Sequence, residues 1–207
     1  RFMVSRISGI IQIAAVYVGT IVGAGFATGR EIVEFFSQYG FYGFIGIILT
    51  GYLFILLGTK IMLLALSINA QTYQELNIYL FGQKWGWIIN LLFFIMLFGV
   101  TAVMLSGAGA AFEEQLGIPK SIGVFFTIGL AMLILHKGVQ GLVGVNLVVV
   151  PMMILFSVLL FVGRIQSPDF NIDLFMIPEN ISYWDALVSP FLYSAFNLGL
   201  SQAVLIP

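Results

Sequence analysis

Long apolar windows separated by short polar connections run through this chain from end to end. Read in order, they predict six membrane helices, at 7–36, 41–68, 85–112, 121–135, 138–163 and 184–207. A helix needs about 20 apolar residues to cross the hydrocarbon layer. The fourth window is shorter than that, and if it failed to cross, every later orientation would invert. Two connections are too long to be turns. The stretch 69–84 mixes Tyr73, Leu76, Ile78, Tyr79, Leu80 and Phe81 with polar residues, which predicts a short helix lying at the membrane surface. The stretch 166–183 holds Pro168, Pro178 and much of the acid, which predicts a structured loop.

The first window is the unusual one. As one continuous helix it would run roughly 45 Å at about 1.5 Å per residue, against a hydrocarbon core of about 30 Å. It also carries Gly19, Gly23, Gly25 and Gly29, and a glycine inside a helix costs about 1 kcal/mol relative to alanine. Two explanations stay open. The pairs Gly19/Gly23 and Gly25/Gly29 match the small-residue spacing that lets membrane helices pack closely. Alternatively, a break at Gly23 to Gly25 divides the window into half-helices, whose unpaired carbonyls suit a cation and whose unpaired amides suit a carboxylate. A nucleotide-binding loop does not fit, because no strand–helix–strand pattern surrounds the glycines and no lysine follows them.

Composition places the chain in the membrane. It is 60% hydrophobic and 8% charged, with a mean hydropathy of +1.09, whereas soluble domains carry about 25% charged residues. A net charge of −1 without a basic patch excludes a nucleic-acid partner, and the absence of cysteine excludes disulfides and thiolate metal sites. His136, beside Lys137 at the end of a window, reads as an interfacial residue. Arg1, Arg6, Lys60, Lys84 and Lys137 fall on the side of the N-terminus, and Arg30, Lys120 and Arg164 fall opposite, so the N-terminus is predicted to be cytoplasmic. The first window is too long for a cleavable signal and reads as its own insertion signal. No initiator methionine opens the chain and no polar tail follows Ala203-Val204-Leu205-Ile206, which reads as a fragment truncated at both ends; a complete six-span protein is the alternative.

The last window is the second polar one. Ser194, Asn197, Gly199, Ser201 and Gln202 gather at apparent membrane depth, where polar groups require partners. Tyr17 precedes Gly23 by the same spacing as Tyr193 precedes Gly199. Interrupted spans at corresponding positions of two halves are the mark of inverted-repeat transporters. The string Gly19-Thr20-Ile21-Val22-Gly23-Ala24-Gly25-Phe26 resembles the first-helix pattern of the amino acid/polyamine/organocation transporter superfamily, and its continuation to Arg30-Glu31 resembles the bacterial YkvI-type membrane proteins. The resemblance implies an all-α LeuT-type fold, of which this chain would hold the first inverted repeat plus the sixth helix, with helices 1 and 6 interrupted. It puts a substrate site at Gly23, Ala24, Gly25 and Phe26 on the first helix and at Ser194, Asn197, Leu198 and Gly199 on the sixth. Thr20, Val22, Gly23 and Ser201 would hold an ion.

No carboxylate or base falls near the middle of a predicted span, which disfavours a buried proton relay. Sodium, held by carbonyl and hydroxyl oxygens, is easier to accommodate, and no cofactor beyond that ion is expected. Arg30, Glu31 and Glu34 form either an external gate or a solvated helix end with its own ion pairs. Asn90, Thr101 and Ser106 either line a cavity or bond neighbouring helices. The expected function is secondary active transport of a small zwitterionic solute, a neutral amino acid, across the bacterial cell membrane, with the lipid bilayer and the solute as partners and an unknown oligomeric state. The alternative is a helix-packing subunit that transports nothing. An enzyme is not expected, since no histidine cluster, paired membrane aspartates or nucleophile–base pair is present.

Overall fold

Inside a bilayer every backbone N–H and C=O needs a partner from the protein itself, so apolar runs of this length fold as helices. A computed structural model describes residues 2–22, 29–168, 176, 178 and 181–206, with the side chains of 2–7 excluded. Among these residues there is no strand. The helices are α1 (Phe2–Ile21), α2 (Arg30–Phe35), α3 (Phe41–Ser67), α4 (Tyr73–Leu116), α5 (Lys120–Leu135), α6 (Val139–Ile165) and α7 (Tyr183–Leu205), with a 3-10 turn at Ser37–Tyr39. By length and composition α3, α4 and α6 can each cross a membrane, while Ser8–Ile21 and Lys120–Leu135 are shorter apolar helices.

The first and last windows are both expected to be interrupted, and one of the two needs correction. The window 7–36 holds two helices among the described residues: α1 ends at Ile21, and α2 starts afresh at Arg30 after Gly29, whose φ of 70° is left-handed. The expected break at Gly23 to Gly25 lies outside the described residues, as does most of the loop at 166–183. The last window, by contrast, is not interrupted. α7 runs unbroken over 23 residues, and its polar side chains are satisfied on the helix's own carbonyls: Ser194 Oγ donates to Pro190 O (2.7 Å), Asn197 Nδ2 to Tyr193 O (3.0 Å) and Ser201 Oγ to Asn197 O (2.7 Å). This back-bonding is an ordinary fate of Ser in membrane helices.

α4 contains a reversal. Gly82 adopts φ 78° and ψ 169°, outside the helical region and accessible to glycine without strain. The arm before it folds back along the arm after it: Asn77 Nδ2 donates to Asn90 Oδ1 (2.9 Å), Asn90 Nδ2 to Gln74 O (3.2 Å), and the Tyr73 and Phe93 rings lie 6.3 Å apart. Thr72 caps the arm by accepting from Glu75 N, and Glu75 Oε2 accepts from Gln71 N, a variant of the capping box. Leu76 is wholly buried against Ala65, Ala70 and Ile206. The segment expected to be a short helix is a helical arm from Tyr73 to Gly82, packed on the end of α3 and on Ile206.

Neighbouring helices form a circuit, α7 to α4, α5, α6, α1 and back to α7, with α3 packed on α7 outside it. α7 is the shared wall and also meets α2. On α3, Phe54 collects both tyrosines of the matching spacing: Tyr17 Oη donates to Phe54 O (2.8 Å), and the Tyr193 ring lies 6.1 Å from the Phe54 ring. Gly58, one turn further along α3, leaves room for Tyr17 Oη.

A Cβ at Gly58 would meet the Tyr17 hydroxyl, whereas a Cβ at Gly51 would meet nothing within 4 Å. Gly58→Val is expected to destabilise the protein by about 1 to 3 kcal/mol through overpacking. Gly51→Ala is expected to gain up to about 1 kcal/mol through helix propensity. Denaturant unfolding in detergent reads both.

Candidate functional site

α2 is only six residues long and owes its position to α7. Ser189 Oγ donates to Phe35 O (2.8 Å), and the Tyr193 ring packs on Phe35 and Phe36 at centroid distances of 5.2 and 5.1 Å. Residues four apart share a helix face, so anchoring Phe35 turns Glu31 toward α7. Arg30 and Glu34 share the neighbouring, outward face. Their side chains are 82% and 57% exposed and pair with each other at 3.5 Å, a contact of small energetic weight at such exposure.

Glu31 thereby becomes part of a cavity of about 390 Å³ between α1, α2, α4 and α7. α1 contributes Thr20, α7 contributes Asn197 and Phe196, and α4 supplies an apolar wall that includes Met96, Val100 and Met104. The volume falls within the range of about 300 to 1,000 Å³ typical of small-molecule sites, as does the combination of apolar walls with a few polar groups. Thr20 Oγ1 donates its proton to Val16 O (2.8 Å), and Asn197 is 3% exposed with its amide nitrogen on Tyr193 O.

The residues singled out in the sequence do not all meet here. Thr20 and Asn197 do. Ser194, Leu198 and Ser201 are buried within α7 at 2%, 6% and 0% exposure but do not line the cavity; Gly199 lies behind it, against Phe93 and Met96. Val22 is displaced by rotation. It continues α1 through its N–H to Val18 O and shares with Val18 a separate groove against Val150 and Met153 of α6, because two residues turn a helix by roughly 200° and carry Val22 away from Thr20. Thr20, Val22 and Ser201 therefore do not line one cavity among the described residues. Gly23, Ala24, Gly25 and Phe26 lie outside them. Asn90 serves the α4 reversal, and Thr101 bonds Leu97 O.

Sequence reasoning grouped Glu31 with Arg30 and Glu34 as an external gate or a solvated helix end, without separating it from them, and missed the α4 wall. Met96, Val100 and Met104 carry no chemical signature in a uniformly apolar window. For Glu31 the available signal was its spacing from Phe35, two positions on one face next to an ion pair on another.

With this geometry in hand, comparison with known proteins adds the following. The chain is 52% identical over 197 residues to "Uncharacterized membrane protein YkvI" of Bacillus subtilis (strain 168), a match that covers 95% of this chain and 56% of that protein. The similarity supports a YkvI-type membrane protein. A second match, 24% identical over 137 residues, is "Uncharacterized protein YyaD" of the same organism, covering 66% of this chain and 39% of that one. The chain thus spans about half the length of the curated relatives it matches. No family model and no solved structure matches. The membrane-protein relative and the long apolar helices together support a membrane location.

Exposure and solvent access differ in a membrane. Leu133 is 69% exposed and lines none of these cavities, while Met104 is 36% exposed and lines the one described. In a cysteine-free background, Met104→Cys is expected to react with a membrane-impermeant thiol reagent about tenfold faster than Leu133→Cys, since only a water-exposed thiol forms the reactive thiolate.

Proposed function

We propose that this chain is part of a secondary active transporter that moves a small zwitterionic solute, a neutral amino acid, by alternating access with sodium as the coupling ion. The carrying observation is the cavity where the end of α1 and the start of α2 meet the centre of α7. Ends of helices near a cavity offer unpaired backbone groups to small ions and carboxylates. Thr20 and Asn197 add side-chain oxygens there, and the resemblance of Gly19 to Glu31 to transporter first helices agrees with that reading. On this proposal the N-terminus is cytoplasmic, the protein sits in the bacterial cell membrane, and the solute carboxylate meets backbone amides near Gly25 and Phe26.

A non-transporting packing subunit is the rival. Its support is that Gly19 makes room for Asn146 and Gly58 for Tyr17. Those contacts join helices of this same chain, so they account for its internal packing and not for association with a partner.

Sodium-dependent uptake of neutral amino acids by proteoliposomes holding the full protein is expected to fall below about a tenth of wild type in Gly25→Leu, because a bulky side chain at a proposed backbone ligand excludes the solute. Undiminished uptake would sink the assignment.

A further inference from the structure

Every polar group of the cavity offers an acceptor. Thr20 has committed its only hydroxyl proton to Val16 O, and Asn197 has spent one of its two amide protons on Tyr193 O and carries an oxygen that can accept. Glu31 adds a carboxylate, an acceptor only when ionised. No lysine or arginine lines the cavity among the described residues. Arg30, the adjacent cation, is on another face and engaged with Glu34, so Glu31 has no ion-pair partner among the described residues. A half-buried carboxylate without a cation is a costly arrangement that a bound positive group relieves. The surrounding walls, including Met96, Val100 and Phe196, are apolar and strengthen such a charge pair by lowering the local dielectric.

We propose that Glu31 is the residue that receives the protonated amine of the transported solute, with Asn197 and Thr20 oxygens as its auxiliary acceptors. This rests on the transporter reading and goes beyond it. A solute carboxylate has no donor set in this cavity among the described residues, so its amine end is the one read here, and solutes whose amine is blocked are rejected. The anchoring of Phe35 by Ser189 and Tyr193 gives α7 a direct hold on the helix that carries the amine acceptor.

The test uses the full protein in proteoliposomes with an inward sodium gradient and radiolabelled L-alanine, L-serine and L-leucine, each competed by its N-acetyl derivative. Wild type is expected to ignore the N-acetyl competitors. Glu31→Gln is expected to raise KM about tenfold or more, the loss of one charge-assisted contact, with a maximal rate close to wild type. Glu31→Asp should recover part of the loss, and Glu34→Gln should behave as wild type. A wild-type KM in Glu31→Gln overturns the proposal, as does full competition by the N-acetyl derivatives. So does loss of sodium dependence at unchanged solute KM, which would assign Glu31 to the coupling ion. Thermal unfolding of each variant in detergent checks folding; if Glu31→Gln does not fold, Glu31→Asp and the N-acetyl competition decide. Flux by wild type together with any of these contrary results defeats this inference alone, whereas no flux of any amino acid by wild type defeats the transporter reading and this inference with it.

Discussion

Polar side chains buried between helices must find partners inside the protein, and here that requirement falls most heavily on α7. Ser189, Ser194, Asn197 and Ser201 are almost fully buried, and each donates to a backbone carbonyl, three of them within α7 and Ser189 across to α2. The bonds within the helix satisfy the polar side chains of a serine- and asparagine-containing segment without opening it. The bond across holds a helix too short to be stable alone, since isolated helices below about 12 residues are marginal even in water. α7 can be polar because α1, α2, α3 and α4 surround it, and those helices can converge because α7 presents small residues to them.

The cavity follows from that arrangement. Tyr193 and Ser189 fix the roll of α2, and the roll separates its two carboxylates: Glu34 pairs with Arg30 outside, while Glu31 faces α7 and the end of α1. One helical turn thus divides a charged triplet into an exposed ion pair and a single carboxylate beside an acceptor-lined space. The Thr20 hydroxyl and one Asn197 amide proton are spent on helix carbonyls, and the Glu31 carboxylate gives the cavity a preference of sign before any ligand is named.

Much of the helical layout is legible in the sequence, because charge-free apolar windows leave the backbone only one way to pair in a bilayer. The special status of the first and last windows is legible too, from Gly19, Gly23, Gly25 and Gly29 and from Ser194, Asn197 and Ser201. What the polar residues of the last window do is not. The same side chains that accompany an open helix also satisfy an intact one, and only the 2.7 to 3.0 Å bonds to Pro190, Tyr193 and Asn197 carbonyls distinguish the two. The placement of Glu31 was hidden for a different reason. It depends on the rotation of α2 about its axis, which Tyr193 sets from a distance of many residues in sequence. The reversal at Gly82 was written in Thr72-x-x-Glu75 and in a lone glycine, but a fold-back that pairs Asn77 with Asn90 leaves no periodic trace.

The central claim is that the space between α1, α2, α4 and α7 holds a small zwitterion. Equilibrium binding of radiolabelled neutral amino acids to the purified full protein in detergent, with and without sodium, measures this directly. The account predicts saturable binding of at least one of them, strengthened by sodium and abolished in Asn197→Leu. No saturable binding by wild type, or binding that Asn197→Leu leaves untouched, would contradict it.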